Sequence, residues 1–172
     1  MADRTVPQQP VARLREIQRL VHENNRSCVP DAVIVCQIYM ESRFDACAQP
    51  EGSSARGLMQ VLKVANRELF RLDNLCKPPA GRRTEPALYA AADTFHESPA
   101  FIDEATNIRT GTRYLQVLID RARREHRPDP VAVAYMDYRG VRNGLYYRKI
   151  RAAAERLERD PDDVGALHAM TA

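Results

Sequence analysis

Apolar positions recur at helical spacing along nearly the whole chain. In the first segment, Val11, Leu14, Ile17 and Val21 are separated by three or four residues, with mostly polar side chains between them. This spacing puts the four side chains on one face of a helix that ends at the polar residues 23–25. The pattern therefore predicts an amphipathic helix at the start of the chain.

A second helix is predicted to begin at Pro30, because proline and the acidic Asp31 both favour the first turn of a helix. Its apolar positions are Val33, Ile34, Ile38 and Tyr39. The next helix is predicted to begin near Gly57 and to run to about Leu72. Residues 73–86 contain several prolines and predict a loop.

The second half of the chain continues the helical pattern. Residues 101–119 predict a long amphipathic helix, and residues 131–138 predict a short apolar helix that Gly140 closes. Residues 142–159 are typical of a charged surface helix, and residues 161–170 predict a last short turn. Since no long alternating run of β-branched residues occurs, we predict a mainly α fold with little or no β-sheet.

Length and charge exclude several classes of protein. A chain of 172 residues is large enough for one core, so residues 1–172 are predicted to form a single domain. No apolar run approaches the roughly 20 residues needed to cross a bilayer, and we expect no membrane insertion. The N-terminus lacks the apolar segment of a secretory signal, which predicts synthesis in the cytoplasm without a signal peptide. The net charge of +3 is too small to indicate nucleic-acid binding.

Four cysteines lie in the first half of the chain, at Cys28, Cys36, Cys47 and Cys76. No Cys-x-x-Cys motif is present and the histidines are scattered, so we expect no zinc site, no other metal and no cofactor. One interpretation is four buried thiols, because a free cysteine behaves as a small apolar residue. The other is two disulfides in an oxidising compartment, for which the sequence leaves three pairings open.

Glu41 stands at the end of the apolar helix that is predicted after Pro30. Burial disfavours the charged form of a carboxyl group and raises its pKa, because the surroundings cannot solvate the charge. A carboxyl group that keeps its proton near neutral pH can act as a general acid, the group that protonates the leaving oxygen in glycoside cleavage. The simpler interpretation is an exposed glutamate at the end of a helix.

Four short blocks resemble, in their order, those of the lytic transglycosylase and goose-type lysozyme superfamily. They are Glu-Ser-x-Phe at 41–44, Gly-Leu-Met-Gln at 57–60, Asn-Ile-Arg-Thr-Gly-Thr-Arg-Tyr-Leu at 107–115, and Ala-Val-Ala-Tyr-Met-Asp-Tyr-Arg-Gly at 132–140. The resemblance implies a lysozyme-like fold whose motif-bearing core spans about residues 30–141. Residues 142–172 would then be a helical C-terminal extension.

The resemblance also implies roles for individual residues. Glu41 takes the position of the catalytic acid, and Ser42 is expected to orient it or to cap the helix. Met59 and Gln60 fall on positions of the substrate groove, although Met59 is equally suited to the core. Tyr135 falls on the tyrosine whose hydroxyl approaches the catalytic carboxylate.

Gly57 has a backbone argument of its own. A turn that packs closely against the helix carrying the acid leaves no space for a Cβ atom, and glycine is the residue without one. We therefore expect Gly57 to face that helix across the substrate groove.

The chain departs from the family pattern at two acidic positions. Met136 and Asp137 follow Tyr135, where the family has asparagine and a small residue, and Glu51 stands where transglycosylases commonly carry a serine that holds the substrate. A second carboxylate in the cleft would activate water and make the enzyme a hydrolase. Glu51 is the first candidate and Asp137 the second; the alternative for Glu51 is a solvated loop.

These observations predict an enzyme that cleaves the β-1,4 glycan strands of peptidoglycan. The scissile bond stays open among those of a muramidase, a lytic transglycosylase and an N-acetylglucosaminidase. The alternative from another class is a catalytically inactive glycan-binding module of a secretion or phage-tail apparatus. A third interpretation, a helical interaction protein, requires four coincidental motifs in the expected order.

Small members of this superfamily without a signal peptide include type VI secretion effectors and phage lysins. The resemblance thus favours an antibacterial effector that acts in the periplasm of a target cell, with an immunity protein that blocks the cleft. A phage endolysin or an enzyme that remodels the producer's own wall is the alternative.

Overall fold

The computed structural model describes residues 8–172, and this part of the chain is mainly α-helical. Residues 1–7, on which part of the signal-peptide prediction depends, lie outside the described residues. The helices are α1 Gln8–Asn24, α2 Asp31–Ser42, α3 Lys63–Leu75, α4 Glu85–Glu97, α5 Glu104–Arg124, α6 Pro130–Arg139, α7 Leu145–Arg159 and α8 Val164–Ala169. Short 3₁₀ turns lie at Pro79–Gly81 and Pro99–Phe101.

Helix α2 is the element around which the core forms. It packs against α1 and α7, while α5 packs against α1 and α6. The residues of α2 from Val33 to Ile38 are all buried, so this helix has almost no solvent-facing side before its last turn. A helix that is apolar on every side is stable only inside a protein, and its end is the place where a polar side chain reaches a surface cleft.

Helix α7 contributes to this core although its sequence is strongly charged. Its buried face consists of Ile150, Ala153, Ala154 and Leu157. This face packs against α2, whereas the arginines and glutamates of α7 lie on the other side. The predicted surface helix is therefore amphipathic, and it covers the helix that carries Glu41.

Two sequence predictions about helices are wrong. The helix predicted from Gly57 begins instead at Lys63, because residues 57–60 form a turn closed by backbone hydrogen bonds between Arg56 and Val61 in both directions, each 3.2 Å long. Helix α4 was not predicted. It buries only Leu88, Ala92 and His96, so its alanine-rich sequence shows little apolar periodicity.

Helix α6 has clear signals at both ends. The Asp129 carboxylate accepts a hydrogen bond from the backbone N–H of Ala132 at 3.0 Å, and Pro130 occupies the first turn. At the other end Gly140 adopts a left-handed conformation with φ of 75°, and its N–H bonds to the Met136 carbonyl. These caps fix both ends of α6, and its last turn borders a surface cleft.

Candidate active site

The Glu41 side chain lies in the last turn of α2 and is only 6% exposed. It lines a cleft of about 240 Å³, which we call the Glu41 cleft. The cleft is lined by Glu41, Pro50, Ser53, Ala55, Gln60, Leu62, Tyr138 and Arg139. The loop before α3 supplies most of one wall, and the last turn of α6 supplies Tyr138 and Arg139.

The chain leaves α2 through two consecutive residues in left-handed conformation, Arg43 with φ of 55° and Phe44 with φ of 66°. Residues other than glycine adopt this conformation at a cost, so the surrounding contacts must hold it. The Arg43 N–H and guanidinium both bond to the Tyr39 carbonyl, at 3.0 and 2.8 Å. Arg13 of α1 bonds to the Phe44 carbonyl at 2.9 Å. The direction of the chain immediately after Glu41 is thus fixed.

Two side chains from different helices contact the Glu41 carboxyl group. The Tyr146 hydroxyl, from the first turn of α7, donates a hydrogen bond to Glu41 Oε1. The Arg139 Nη1 atom, from the end of α6, lies 3.7 Å from Glu41 Oε2. The Arg139 guanidinium also lies over the Tyr146 ring, 5.6 Å from its centroid. Glu41, Arg139 and Tyr146 therefore form one cluster of mutually contacting groups.

Burial raises the pKa of Glu41, and this effect exceeds the opposing effects of the Tyr146 hydrogen bond and the Arg139 charge. Burial also raises the pKa of Tyr146 well above its ordinary value of 10, so that the phenol remains a hydrogen-bond donor. A carboxyl group with a raised pKa keeps its proton up to a pH nearer to neutral. After the proton has left, Tyr146 and Arg139 can stabilise the carboxylate. This is the behaviour that a general acid requires.

Of the predicted groove residues, Gln60 lines the cleft and Met59 does not. The Gln60 amide nitrogen donates to the carbonyls of Ala48 and Gly57, at 2.9 and 2.8 Å, and so ties the loop to the turn. Met59 is completely buried in the core, and a Cβ atom at Gly111 would lie only 2.6 Å from its sulfur. The assignment of Met59 to substrate binding is therefore wrong, and its alternative role in the core is the observed one.

Gly57 requires glycine for the predicted reason, but its neighbour is different. It has φ of 78°, and a Cβ atom there would lie 2.3 Å from Asn107 Nδ2. Asn107 belongs to α5, so the turn closes on α5 rather than on the helix that carries Glu41. The fully buried Asn107 accepts a hydrogen bond from the Met59 N–H at 2.9 Å and donates to the Arg56 carbonyl at 3.2 Å. Asn107 thus holds the turn that places Gln60, a role that its position in the third block did not reveal.

The hydroxyls of Ser42 and Tyr135 bond to groups other than the Glu41 carboxyl group. The Ser42 hydroxyl donates to the Ile38 carbonyl at 3.1 Å, a bond within its own helix. Tyr135 is completely buried and donates to Gln37 Oε1 at 3.0 Å. The roles predicted for both residues beside the carboxylate are therefore corrected, because the helical geometry points each of them into the core.

The tyrosines that do border the site are Tyr138 and Tyr146. Tyr138 follows Tyr135 by three residues, which moves its side chain around α6 to the cleft, and its hydroxyl donates to the Met59 carbonyl at 2.8 Å. Tyr146 lies in the segment that was predicted to be a C-terminal extension outside the motifs. The signal that could have identified it is the aromatic pair Tyr146–Tyr147 on an otherwise charged helix.

Neither candidate for a second acid lines the Glu41 cleft. Glu51 is exposed in the loop beside Pro50, and Asp137 pairs with Arg142 through a contact of 2.8 Å. Among the residues that line the cleft, Glu41 is the carboxylate. The structure does not support the prediction that Glu51 or Asp137 faces Glu41, because one side chain lies in solvent and the other is held by an arginine.

The four cysteines are free thiols in the structure. Cys36 is completely buried in α2, whereas Cys28, Cys47 and Cys76 are exposed. The prediction of two disulfides is wrong for this structure, and so is the alternative of four buried thiols. Burial raises the pKa of the Cys36 thiol to about 12, and this residue serves as a small apolar side chain of the core.

Two larger clefts lie elsewhere on the described surface. One, of about 510 Å³, shares Ser53 with the Glu41 cleft and has a polar lining that includes Lys63 and Glu97. The other, of about 570 Å³, lies between α3, α4 and α5, and its carboxylate Asp73 is paired with Arg113. The first is thus a neighbour of the Glu41 cleft. The second is a separate cavity, and its carboxylate already has a cationic partner.

Within residues 8–172, no group of three or more His, Cys, Asp and Glu side chains is arranged to hold a metal ion. None of the helices in this range has the length and apolar character required to cross a membrane. Comparison with family models, with curated proteins and with solved structures finds no match to this chain.

Proposed function

We propose that the protein cleaves the β-1,4 glycan strands of peptidoglycan and that Glu41 is its general acid. The observation that carries this proposal is the Glu41 carboxyl group itself. It is 6% exposed, it lines a cleft with both polar and apolar walls, burial raises its pKa, and a tyrosine and an arginine are positioned to stabilise its ionised form. Glycoside cleavage requires an acid in this state beside the leaving oxygen.

In the first step the Glu41 carboxyl group gives its proton to the glycosidic oxygen while the bond from this oxygen to the anomeric carbon breaks. The electron pair of that bond stays with the leaving sugar, and the anomeric carbon acquires oxocarbenium character. Glu41 becomes a carboxylate, whose two oxygens face the Tyr146 hydroxyl and the Arg139 guanidinium. Hydrogen bonding and charge thus act where the negative charge develops.

The second step needs a nucleophile with a hydroxyl proton to lose. Because Glu41 is the carboxylate of the cleft lining, we propose that it takes this proton back itself. If the nucleophile is the 6-hydroxyl of the same sugar, the new bond from O6 to the anomeric carbon gives an anhydro end. This route, that of a lytic transglycosylase, needs a single acid and agrees with the exposed Glu51 and the paired Asp137.

The elongated surface beside Glu41 favours a polymer as substrate. The 510 Å³ cleft shares Ser53 with the Glu41 cleft, so a second, mostly polar cleft lies beside the acid. A lysozyme-like architecture is part of the proposal. It is supported by the order of an acid at the end of an apolar helix, a Gly-Leu-Met-Gln turn, a long helix with Asn107 and a short helix with tyrosines.

The experiment that tests the proposal is lysis of purified cell walls, followed by turbidity, with Glu41→Gln as the control. Glutamine keeps the shape of the side chain but has no proton of suitable acidity, so activity should fall by about 10²–10⁴-fold. Mass spectrometry of the released muropeptides identifies the scissile bond, because an anhydro end, a reducing muramic end and a reducing glucosamine end are different products. Lysis by a folded Glu41→Gln protein at the wild-type rate would exclude Glu41 as the acid.

We further propose that the protein acts in the periplasm of a target cell, where this polymer lies. A partner that blocks the Glu41 cleft would protect the producing cell. Delivery by a type VI secretion system and the existence of such an immunity protein remain predictions of the sequence resemblance.

A further inference from the structure

Arg139 is a cation at the mouth of the Glu41 cleft that has no close anionic partner among residues 8–172. Its side chain is 53% exposed, and its ion-pair contact within that range is the 3.7 Å approach to Glu41, too long for a hydrogen bond. Other arginines of this protein hold their carboxylates through two bonds, as Arg156 does with Asp163 at 2.8 and 3.0 Å. When Glu41 carries its proton, Arg139 faces no negative charge in the cleft.

The position of the guanidinium is nevertheless well defined. Gly140 caps the helix directly after it, and the Tyr146 ring supports the guanidinium at 5.6 Å. An arginine that is held in place, partly exposed and without a strong counter-ion is suited to bind a carboxylate through two parallel hydrogen bonds.

We infer that Arg139 binds a carboxylate of the substrate and thereby selects anionic glycan strands over neutral ones. The inference rests on the proposed function. In peptidoglycan such a carboxylate comes from the lactyl ether of the muramic residue or from the stem peptide attached to it. A chitin-like strand carries neither.

This contact has a consequence for the acid. The positive charge of Arg139 favours the ionised form of Glu41 in the free enzyme. A substrate carboxylate bound to Arg139 offsets part of that charge, so Glu41 holds its proton more firmly once the anionic strand is bound, while the Tyr146 hydroxyl still donates to the carboxylate that forms. Protonation of the acid is then coupled to recognition of the correct polymer.

The other groups around Glu41 do not interfere with this coupling. Besides Arg139, the titratable groups whose charges interact with it are Tyr138, Tyr135 and Tyr146 from α6 and α7. The pKa of each of these tyrosines is raised well above 10 by burial. Within the described part of the chain, Glu41 is therefore the acidic member of the cluster, and burial raises its pKa.

The test compares four substrates: peptide-free glycan strands with free lactyl carboxylates, the same strands after chemical amidation, strands that carry stem peptides, and chitin oligosaccharides. KM and kcat are measured for the wild type, Arg139→Gln and Arg139→Lys. We expect Arg139→Gln to lower kcat on every substrate, because Glu41 loses a stabilising charge, and to raise KM about tenfold only on strands with free carboxylates. Arg139→Lys should restore part of the loss.

Arg151 provides a matched control. It is 57% exposed, lies 3.8 Å from Glu155 and sits 5.9 Å from the Tyr147 ring, so its surroundings resemble those of Arg139, but it does not line the cleft. Arg151→Gln should therefore behave as the wild type on all four substrates. If KM for the peptide-free strands depends on Arg139, the carboxylate that Arg139 binds is that of the lactyl ether. If KM depends on Arg139 only with peptide-bearing strands, the carboxylate belongs to the stem peptide.

The outcomes separate this inference from the proposed function. A change in KM that is equal on amidated strands and on both kinds of carboxylate-bearing strand, in an active enzyme, overturns the role of Arg139 alone. The wild type also tests it without any variant, since KM values that are equal for amidated, peptide-free and peptide-bearing strands contradict the inference. A wild type that cleaves none of the substrates overturns the proposed function and the inference with it.

Discussion

The Tyr146 hydroxyl donates a hydrogen bond to the Glu41 carboxyl group, although the two residues are 105 positions apart in the chain. Tyr146 begins α7 and Glu41 ends α2, so the packing of these two helices determines whether the bond forms. The hydrogen bond stabilises the carboxylate and lowers the pKa of Glu41 against the larger effect of burial. The phenol therefore influences both the position and the acidity of the proposed acid.

We predict that Tyr146→Phe lowers kcat about tenfold and moves the basic limb of the pH profile of kcat/KM to higher pH. The reason is that the carboxylate loses a donor, so its pKa rises further, and the acid form persists to higher pH. Tyr147→Phe is the matched control, because Tyr147 stacks on Tyr135 at 4.5 Å and does not bond to Glu41. A lower kcat with an unchanged pH profile would mean that Tyr146 contributes only to packing.

Replacement of Glu41 should increase stability at neutral pH. The pKa of Glu41 is raised in the folded protein, so the native state binds this proton more tightly than the unfolded chain does. The stabilising contribution of that proton is fully present below the unfolded pKa of about 4.3 and is lost as pH rises through the folded pKa. The free energy of unfolding of Glu41→Gln should thus exceed that of the wild type at pH 7.5, and the difference should shrink toward pH 4.

Denaturant unfolding at several pH values checks this prediction. Glu51→Gln is the control, since Glu51 is exposed in the loop and its replacement should follow the wild type across the range. The prediction of a buried acid with a raised pKa would be contradicted if the free energy of unfolding of Glu41→Gln did not exceed that of the wild type, or exceeded it by the same amount at every pH.

Gly57→Ala should lower the free energy of unfolding by about 2–4 kcal/mol. An alanine there would be strained in the left-handed conformation, and its Cβ atom would overlap the Asn107 side chain. Gly52→Ala separates the two causes. Gly52 has φ of 71°, close to that of Gly57, but a Cβ atom there meets nothing within 4 Å, so only the conformational cost of about 1 kcal/mol is expected. Equal losses in the two variants would show that the contact with Asn107 does not matter.

Thiol titration tests the cysteine arrangement. Under native conditions we expect rapid reaction of three exposed thiols, Cys28, Cys47 and Cys76, and slow reaction of Cys36, since burial raises its pKa to about 12 and blocks the reagent. Cys36→Ala should keep three fast thiols and lose the slow one. Fewer than three fast thiols in the unreduced protein would indicate that a disulfide forms.

The proposed site of action leads to a prediction in living cells. Bacteria that export the chain to the periplasm behind an added signal peptide should lyse, whereas cytoplasmic production should be tolerated, because the glycan lies outside the inner membrane. Exported Glu41→Gln protein at equal abundance should be harmless. Toxicity of the exported Glu41→Gln protein would point to an effect other than glycan cleavage.

The mainly α fold could be predicted from the sequence because apolar positions recur at helical spacing in α1 and α5, and because a proline marks the start of the apolar helices α2 and α6. The start of α3 could not, since the turn before it depends on long-range contacts. Gly57 fits against Asn107, which is 50 residues away in the chain, and Gln60 adopts φ of 48° to bond back to the loop. Local periodicity carries no information about such contacts.

Glu41 could be predicted from the sequence, because its burial depends only on its place at the end of an apolar helix. Its partners depend on how helices pack. Tyr135 has the predicted position in the motif, but one turn of α6 separates it from Tyr138, which reaches the cleft. Tyr146 lies outside every motif, on a helix whose charges conceal its buried face. The arrangement of tyrosines therefore required the structure.

The separation between Glu41 and Tyr146 also bears on how the protein is made. A ribosome releases α2 long before α7 has been synthesised, and until α7 docks, the Glu41 side chain remains accessible to water with the acidity of a free glutamate. If Glu41 is the acid, the nascent chain is therefore inactive until the segment from Leu145 onward has been made and α7 packs over α2.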